Sequence, residues 1–202
     1  MDGDTGVYQH KNNADGKAPT EYMIQKRQGK TSSYAGGGTK IGETEYVDEF
    51  ITPETGKVMT ETVIQVGTTF DRIIQEKKDE SKGMDLQQIA AASGPGGKFD
   101  IKKGLVNVGA LLDGKYATSR SAGNFLAGYN ARDAKLPYVG GTISFETFQK
   151  LAGAVQQLGR APTKSEVPGI LAKPYGKAPT YGEYEYQRRM SEKGYYHVPR
   201  GQ

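Results

Sequence analysis

Two runs early in the chain, Lys40 to Phe50 and Val58 to Val66, are rich in Thr, Val, Ile and Tyr, residues that suit a pleated surface. Pro53-Glu54-Thr55-Gly56 between them supplies turn chemistry, so the pattern predicts a β-hairpin. Ahead of it, residues 1–40 alternate charged and small positions, with Val7, Tyr8, Tyr22 and Ile24 as sparse apolar anchors. Asn12-Asn13 and Gly36-Gly37-Gly38 mark turns there, and the stretch reads as an irregular segment with one or two short strands.

Beyond residue 66 the apolar period becomes helical. Phe70, Ile73 and Ile74 follow Thr69, a candidate N-cap, and Gly83 closes the charged stretch, which predicts a helix over Asp71 to Lys82. Leu86, Ile89 and Ala90 repeat the spacing after Asp85, until Gly94-Pro95-Gly96-Gly97 stops it. Phe99-Asp100-Ile101-Lys102 then alternates apolar with charged, as an extended segment bordering a cleft would. From Ser119 to Ala131, the residues Ala122, Phe125, Leu126 and Tyr129 form one helical stripe. Phe145, Phe148, Leu151, Ala152, Val155 and Leu158 form a stronger one between the Ser144 cap and the Gly159 stop. Pro162, Pro168, Pro174 and Pro179 punctuate the following loop, and Tyr181 to Lys193 reads as a last helix ended by Gly194. The expected fold class is therefore α+β, with an N-terminal β-hairpin region over residues 1–66 and a mainly helical domain over 67–202.

Composition narrows the class. At 202 residues with 35% hydrophobic positions, 28 glycines, 13 tyrosines and no tryptophan, the chain is polar and loop-rich, yet long enough for a real core. Lys and Arg number 27 against 23 acidic residues, and the net charge of +4 mildly favours an anionic partner. No apolar run approaches the ~18 residues of a membrane span, and the first residues lack the apolar core of a signal peptide, so no membrane span is expected and any export takes another route. Without cysteine there is no disulfide, thiolate nucleophile or thiolate metal site.

Familiar motifs fail on particular residues. Ala92-Ser93-Gly94-Pro95-Gly96-Gly97-Lys98-Phe99 imitates a phosphate loop, but Ala92 stands where its first glycine belongs and Phe99 where its hydroxyl belongs. His10 and His197 are the only histidines and form no zinc motif. Asp2-Gly3-Asp4 and Asp15-Gly16 are not followed by a calcium loop, so neither a metal nor another cofactor is expected.

What remains is a set of polar residues set among glycines. Asp100 and Lys102 share one side of an extended segment, either facing a cavity or forming a surface ion pair. Asn124 lies between Gly123 and Phe125, in a helix that also carries Gly128, which fits either tight helix packing or an amide turned to substrate. Glu183, after Tyr181-Gly182, either answers a helix dipole or acts as general acid or base, with Asp100 as second carboxylate or Lys102 as electrostatic stabiliser. Arg120, Tyr129, Tyr181 and Arg188 are candidate substrate-binding side chains beside them, and His197 is a group able to titrate near neutrality.

The order Gly96-Gly97-Lys98-Phe99-Asp100-Ile101-Lys102, Gly123-Asn124-Phe125 with Gly128-Tyr129, Ala152-Gly153-Ala154 with Gln156, and Tyr181-Gly182-Glu183 resembles the bacterial polymorphic toxin domain type forty-four. The resemblance spans roughly Gly94 to Tyr196, with Phe99 standing where tryptophan is common and Glu183-Tyr184-Glu185 as the acidic cluster. Asp2-Gly3-Asp4-Thr5-Gly6-Val7-Tyr8 is similar to the junction after an Rhs-type repeat core. The resemblance implies a released C-terminal payload, an Rhs-type carrier and secretion apparatus, injection into a competing bacterium, and a cognate immunity protein covering the site.

Three function classes follow. The first is a metal-independent nuclease acting on RNA, suggested by the basic balance and the many tyrosines available for base stacking. Glu183 or Asp100 would be its base, Lys102 and Arg120 would stabilise the phosphate, and Asn124 would orient it. The second is a hydrolase acting on peptidoglycan through an Asp100 and Glu183 pair. The third is a non-enzymatic interaction module whose tyrosines form a binding surface. The target compartment, cytoplasm or periplasm, differs between the first two.

Overall fold

A computed structural model describes residues 5–9, 39–57, 59, 61–94, 96–135 and 141–199. Asp2 to Asp4, His10, Asn12-Asn13, Asp15-Gly16, Tyr22, Ile24, Gly36 to Gly38, Val58 and Pro95 lie outside the described residues. The chain is α+β and divides into two compact units. One comprises Met1–Asp71 and Asn107–Ser119, the other Arg72–Val106 and Arg120–Gln202. The boundary expected after residue 66 falls inside a strand, and residues 107–119 return to the first unit.

In the first unit, β1 (Gly6–Gln9) pairs antiparallel with β2 (Thr39–Glu43). A three-stranded sheet has the order β3-β4-β5, from β3 (Val63–Thr69), β4 (Val108–Leu112) and β5 (Lys115–Thr118). The expected hairpin of 40–50 with 58–66 is therefore replaced by other pairings. The turn chemistry at Pro53 to Gly56 does act, since the Thr52 N–H bonds the Lys57 carbonyl at 2.7 Å and Met59 bonds Phe50 at 2.8 Å. The flanking strands diverge because β3 runs parallel to β4 and β2 is taken by β1.

β4 and β5 form a hairpin closed by Asp113-Gly114, both at positive φ (52° and 83°), the two-residue turn that matches strand twist. This hairpin is absent from the sequence-based expectation, although Asp113-Gly114 after an apolar run is its signal. Tyr116 of β5 is buried against Gly42 of β2, where a Cβ would stand 2.8 Å from the ring. The fully buried Glu49 carboxylate accepts from the Thr118 N–H at 2.6 Å and ties the loop after β2 to β5.

The second unit is helical. It holds most of α1 (Asp71–Glu80), with α2 (Leu86–Ser93), α3 (Ser119–Arg132), α4 (Phe145–Leu158), α5 (Val167–Ala172) and α6 (Glu185–Tyr195). Asp85 and Gln88 form a reciprocal capping box on α2. Ser144 accepts from the Thr147 N–H and Gly159 closes α4 in the left-handed region, as the sequence predicts. The prolines predict loop where α5 stands; Pro168 occupies its first turn, where the missing N–H is harmless.

The core is built from Phe125 and Leu126 of α3, Phe148 and Leu151 of α4, and Tyr186 and Met190 of α6, joined by Phe99 and Ile101. α3 and α6 touch backbone to backbone. A Cβ at Gly128 would overlap the Ser191 carbonyl, and one at Gly194 would overlap that of Phe125. Gly194 therefore lies within α6 as a packing residue and does not end it. Ser121 and Tyr186 join their hydroxyls between the same helices.

Candidate active site

Glu183 lies in a bend ahead of α6, and the helix expected from Tyr181 starts at Glu185. The reason is local: Tyr181 and Gly182 both adopt positive φ (51° and 100°), which a helix does not accept. This turn is pressed onto α4. A Cβ at Gly153 would overlap the Tyr181 carbonyl, and Gln157 donates its amide to the Gly182 carbonyl at 2.7 Å. The Tyr181 hydroxyl donates to Glu146 at 3.0 Å, while Lys150 pairs with Glu146 at 2.9 Å and lies 5.5 Å from the Tyr181 ring centre.

Gln149 of α4 is 1% exposed and holds the turn from beneath. Its Nε2 donates to Glu183 Oε2 at 2.5 Å and to the Thr180 carbonyl at 3.2 Å. Burial pushes the Glu183 carboxyl up to about 7, while the Gln149 amide and the nearby Arg188 charge pull the other way without offsetting it. Glu146, one turn earlier on α4, is held below the usual carboxylate range by its bonds from Lys150 and Tyr181. Glu146, bonded to Tyr181, and Glu183, bonded to Gln149, thus have opposite tendencies. Arg188 bridges Glu185 at 3.0 Å and Glu192 at 2.8 Å along α6, so its charge is shared with carboxylates.

Gln149, Glu146 and Lys150 were not singled out in the sequence. A glutamine standing next to Phe148, within the apolar stripe of α4, was the available sign that a polar partner would be buried there.

The remaining expected residues fall elsewhere. Asp100 is in a turn and not on a strand. Its Oδ2 accepts from the Gly96 N–H at 2.8 Å and its Oδ1 from the Lys102 N–H at 3.0 Å, so the carboxylate shapes its own loop. The alternation still reports burial, since Phe99 and Ile101 are in the core, but Lys102 is exposed. No described bond joins Asp100 or Lys102 to Glu183.

Tyr129 and His197 form another cluster, with ring centres 5.2 Å apart and both against Phe125. Lys78, buried, donates to the Tyr129 carbonyl at 2.5 Å, pairs with Asp133 at 2.8 Å and lies 4.5 Å from the Tyr129 ring centre. Burial lowers the Lys78 ammonium, with Asp133 opposing. Arg132 donates to the His197 carbonyl at 2.6 Å. Asn124, half-buried on α3, has its Nδ2 buried with no bond among the described residues, and Arg120 is half-buried one turn before it.

Among the described residues no group of three or more His, Asp or Glu side chains is placed to hold a metal ion. None of their helices is long and apolar enough to cross a membrane. No protein-family model, curated protein or solved structure matches this chain.

Proposed function

We propose that the chain is an antibacterial polymorphic-toxin payload that cleaves RNA without a metal ion, with Glu183 as general base. The observation that carries this reading is the Glu183 carboxyl, clamped by Gln149 on a turn locked to α4 and raised to about 7. A base titrating near the working pH combines a useful ionised fraction with a real affinity for the proton. The carboxylate takes the proton of a ribose 2′-hydroxyl as that oxygen attacks the adjacent phosphorus. The 5′-oxygen leaves and takes a proton from solvent. Arg188, whose charge acts on the carboxyl, and Lys150 beside Tyr181 would share themselves between their carboxylate partners and the phosphate, and the overall charge of +4 favours a polyanion. Delivery by an Rhs-type carrier, injection into a target cell and a cognate immunity protein belong to the same proposal. Incubation with total RNA in EDTA tests it. Cleavage by the wild type, at least ~100-fold slower in Glu183→Gln, is expected; intact RNA at high enzyme concentration sinks it.

The opposed acidities of Glu146 and Glu183 favour a second reading, a peptidoglycan hydrolase with Glu183 as general acid and Glu146 as the ionised partner. Glu146 takes the place expected for Asp100, whose oxygens are committed to their own loop. The pH profiles separate the two. With Glu183 as base, kcat/KM rises as pH passes about 7; with Glu183 as acid it falls there. In a non-enzymatic interaction module, Glu183→Gln would leave toxicity intact.

A further inference from the structure

At the end of α6, Tyr196 is 63% exposed yet fixed in place. Its ring centre lies 5.0 Å from Tyr195 in an edge contact and 5.9 Å from Phe145, and those two rings are 5.4 Å apart. The Tyr195 hydroxyl donates to the Ile143 carbonyl, and the Tyr196 N–H closes the helix onto Glu192 at 3.1 Å. A scattered exposed tyrosine needs no explanation. One backed by two aromatic rings loses little freedom when something stacks on it, which is the condition for a pre-organised contact.

Tyr196 directly follows α6 and Glu183 lies just ahead of it, so the 11 residues of that helix, about 16 Å, separate the two, a span for several nucleotides of one strand. Phe145, which backs Tyr196, and Gln149, which clamps Glu183, stand four positions apart on α4. The carboxylates in this region are already paired: Glu146 with Lys150 at 2.9 Å, Glu192 with Arg188 at 2.8 Å, and Asp133 with Lys78 at 2.8 Å. Arg188 also bonds Glu185 at 3.0 Å, and α6 as a whole carries three basic residues, Arg188, Arg189 and Lys193, against the two carboxylates Glu185 and Glu192, a balance that does not oppose a phosphate chain. We infer that Tyr196, backed by Phe145 and Tyr195, is a stacking platform for one nucleobase of the single-stranded RNA whose phosphodiester reaches Glu183. This rests on the nuclease reading. Stacking on a π-face accepts every base, so the platform gives affinity and leaves base identity open.

The experiment uses the whole chain and fluorescein-labelled 2′-O-methyl oligouridine and oligoadenosine, which the proposed chemistry cannot cleave, read by anisotropy. Tyr196→Ala is expected to weaken both by about 5- to 100-fold, while Tyr196→Phe keeps its affinity. On cleavable RNA, Tyr196→Ala is expected to raise KM and leave kcat unchanged. Wild-type affinity in Tyr196→Ala, or an equal loss in Tyr196→Phe, overturns the platform. So does Tyr196-dependent binding of chito-oligosaccharides without oligonucleotide binding, which assigns the rings to a glycan. The two proposals fail separately. RNA cleavage that survives Glu183→Gln removes the base assignment alone, and cleavage lost in Glu183→Gln with unchanged oligonucleotide binding in Tyr196→Ala removes the platform alone.

Discussion

On the proposed function, Glu183 would couple stability to activity at the scale of one residue. Its folded-state acidity near 7 lies above the ~4.3 of an unstrained glutamate, so the folded chain holds the proton more tightly than the unfolded one. The stability this proton contributes is therefore full below about pH 4 and is lost as pH rises to about 7, a change of roughly 3 kcal/mol. Urea unfolding at pH 5 and pH 8 is expected to show that loss in the wild type and not in Glu183→Gln. The substituted chain should be the more stable one at pH 8 while lacking activity. Neither outcome is legible in the sequence, which places Glu183 in the first turn of a helix. Its burial comes from Gln149 and the glycine contact at Gly153, both distant along the chain.

At the scale of elements, two glycines of α3 make opposite predictions. Gly123 has nothing within 4 Å of an added Cβ, so Gly123→Ala is expected to stabilise the chain by about 0.5–1 kcal/mol through helix propensity. Gly128 sits against the Ser191 backbone, and Gly128→Ala is expected to cost about 2–3 kcal/mol or more because two helix backbones must part. Denaturant midpoints of the two variants check both signs. Sequence composition treats these glycines alike, and only the approach of α6 separates them. Elements held by local chemistry were readable, as α4 was from its Ser144 cap, its stripe and Gly159. The pairing of β3 with β4 was not, because Val63 meets Val108, 45 positions further on, and local alternation carries no record of the partner.

The molecule as a whole carries the prediction about target cells. Expression in the bacterial cytoplasm is expected to stop growth if the substrate is RNA, and export to the periplasm to do so if it is peptidoglycan. Colony counts in both compartments decide between these, with Glu183→Gln harmless in either. The first unit is discontinuous, taking Asn107–Ser119 from between segments of the second. Removal of residues 1–66 is therefore expected to strip β4 and β5 of the segments of their own unit, detectable as loss of soluble expression.

The sequence by itself determined the α+β class and most helices, since caps, stops and apolar stripes act within a few residues of where they are written. It offered Glu183 as one candidate among several, at the opening of an expected helix. Tertiary structure decided what surrounds each carboxyl group. It returned Asp100 to its own loop, buried Glu183 against Gln149 and set Glu146 across Tyr181. The physical reason is that acidity depends on lost solvent and on partners brought from distant segments, and neither is a property of a residue's sequence neighbours.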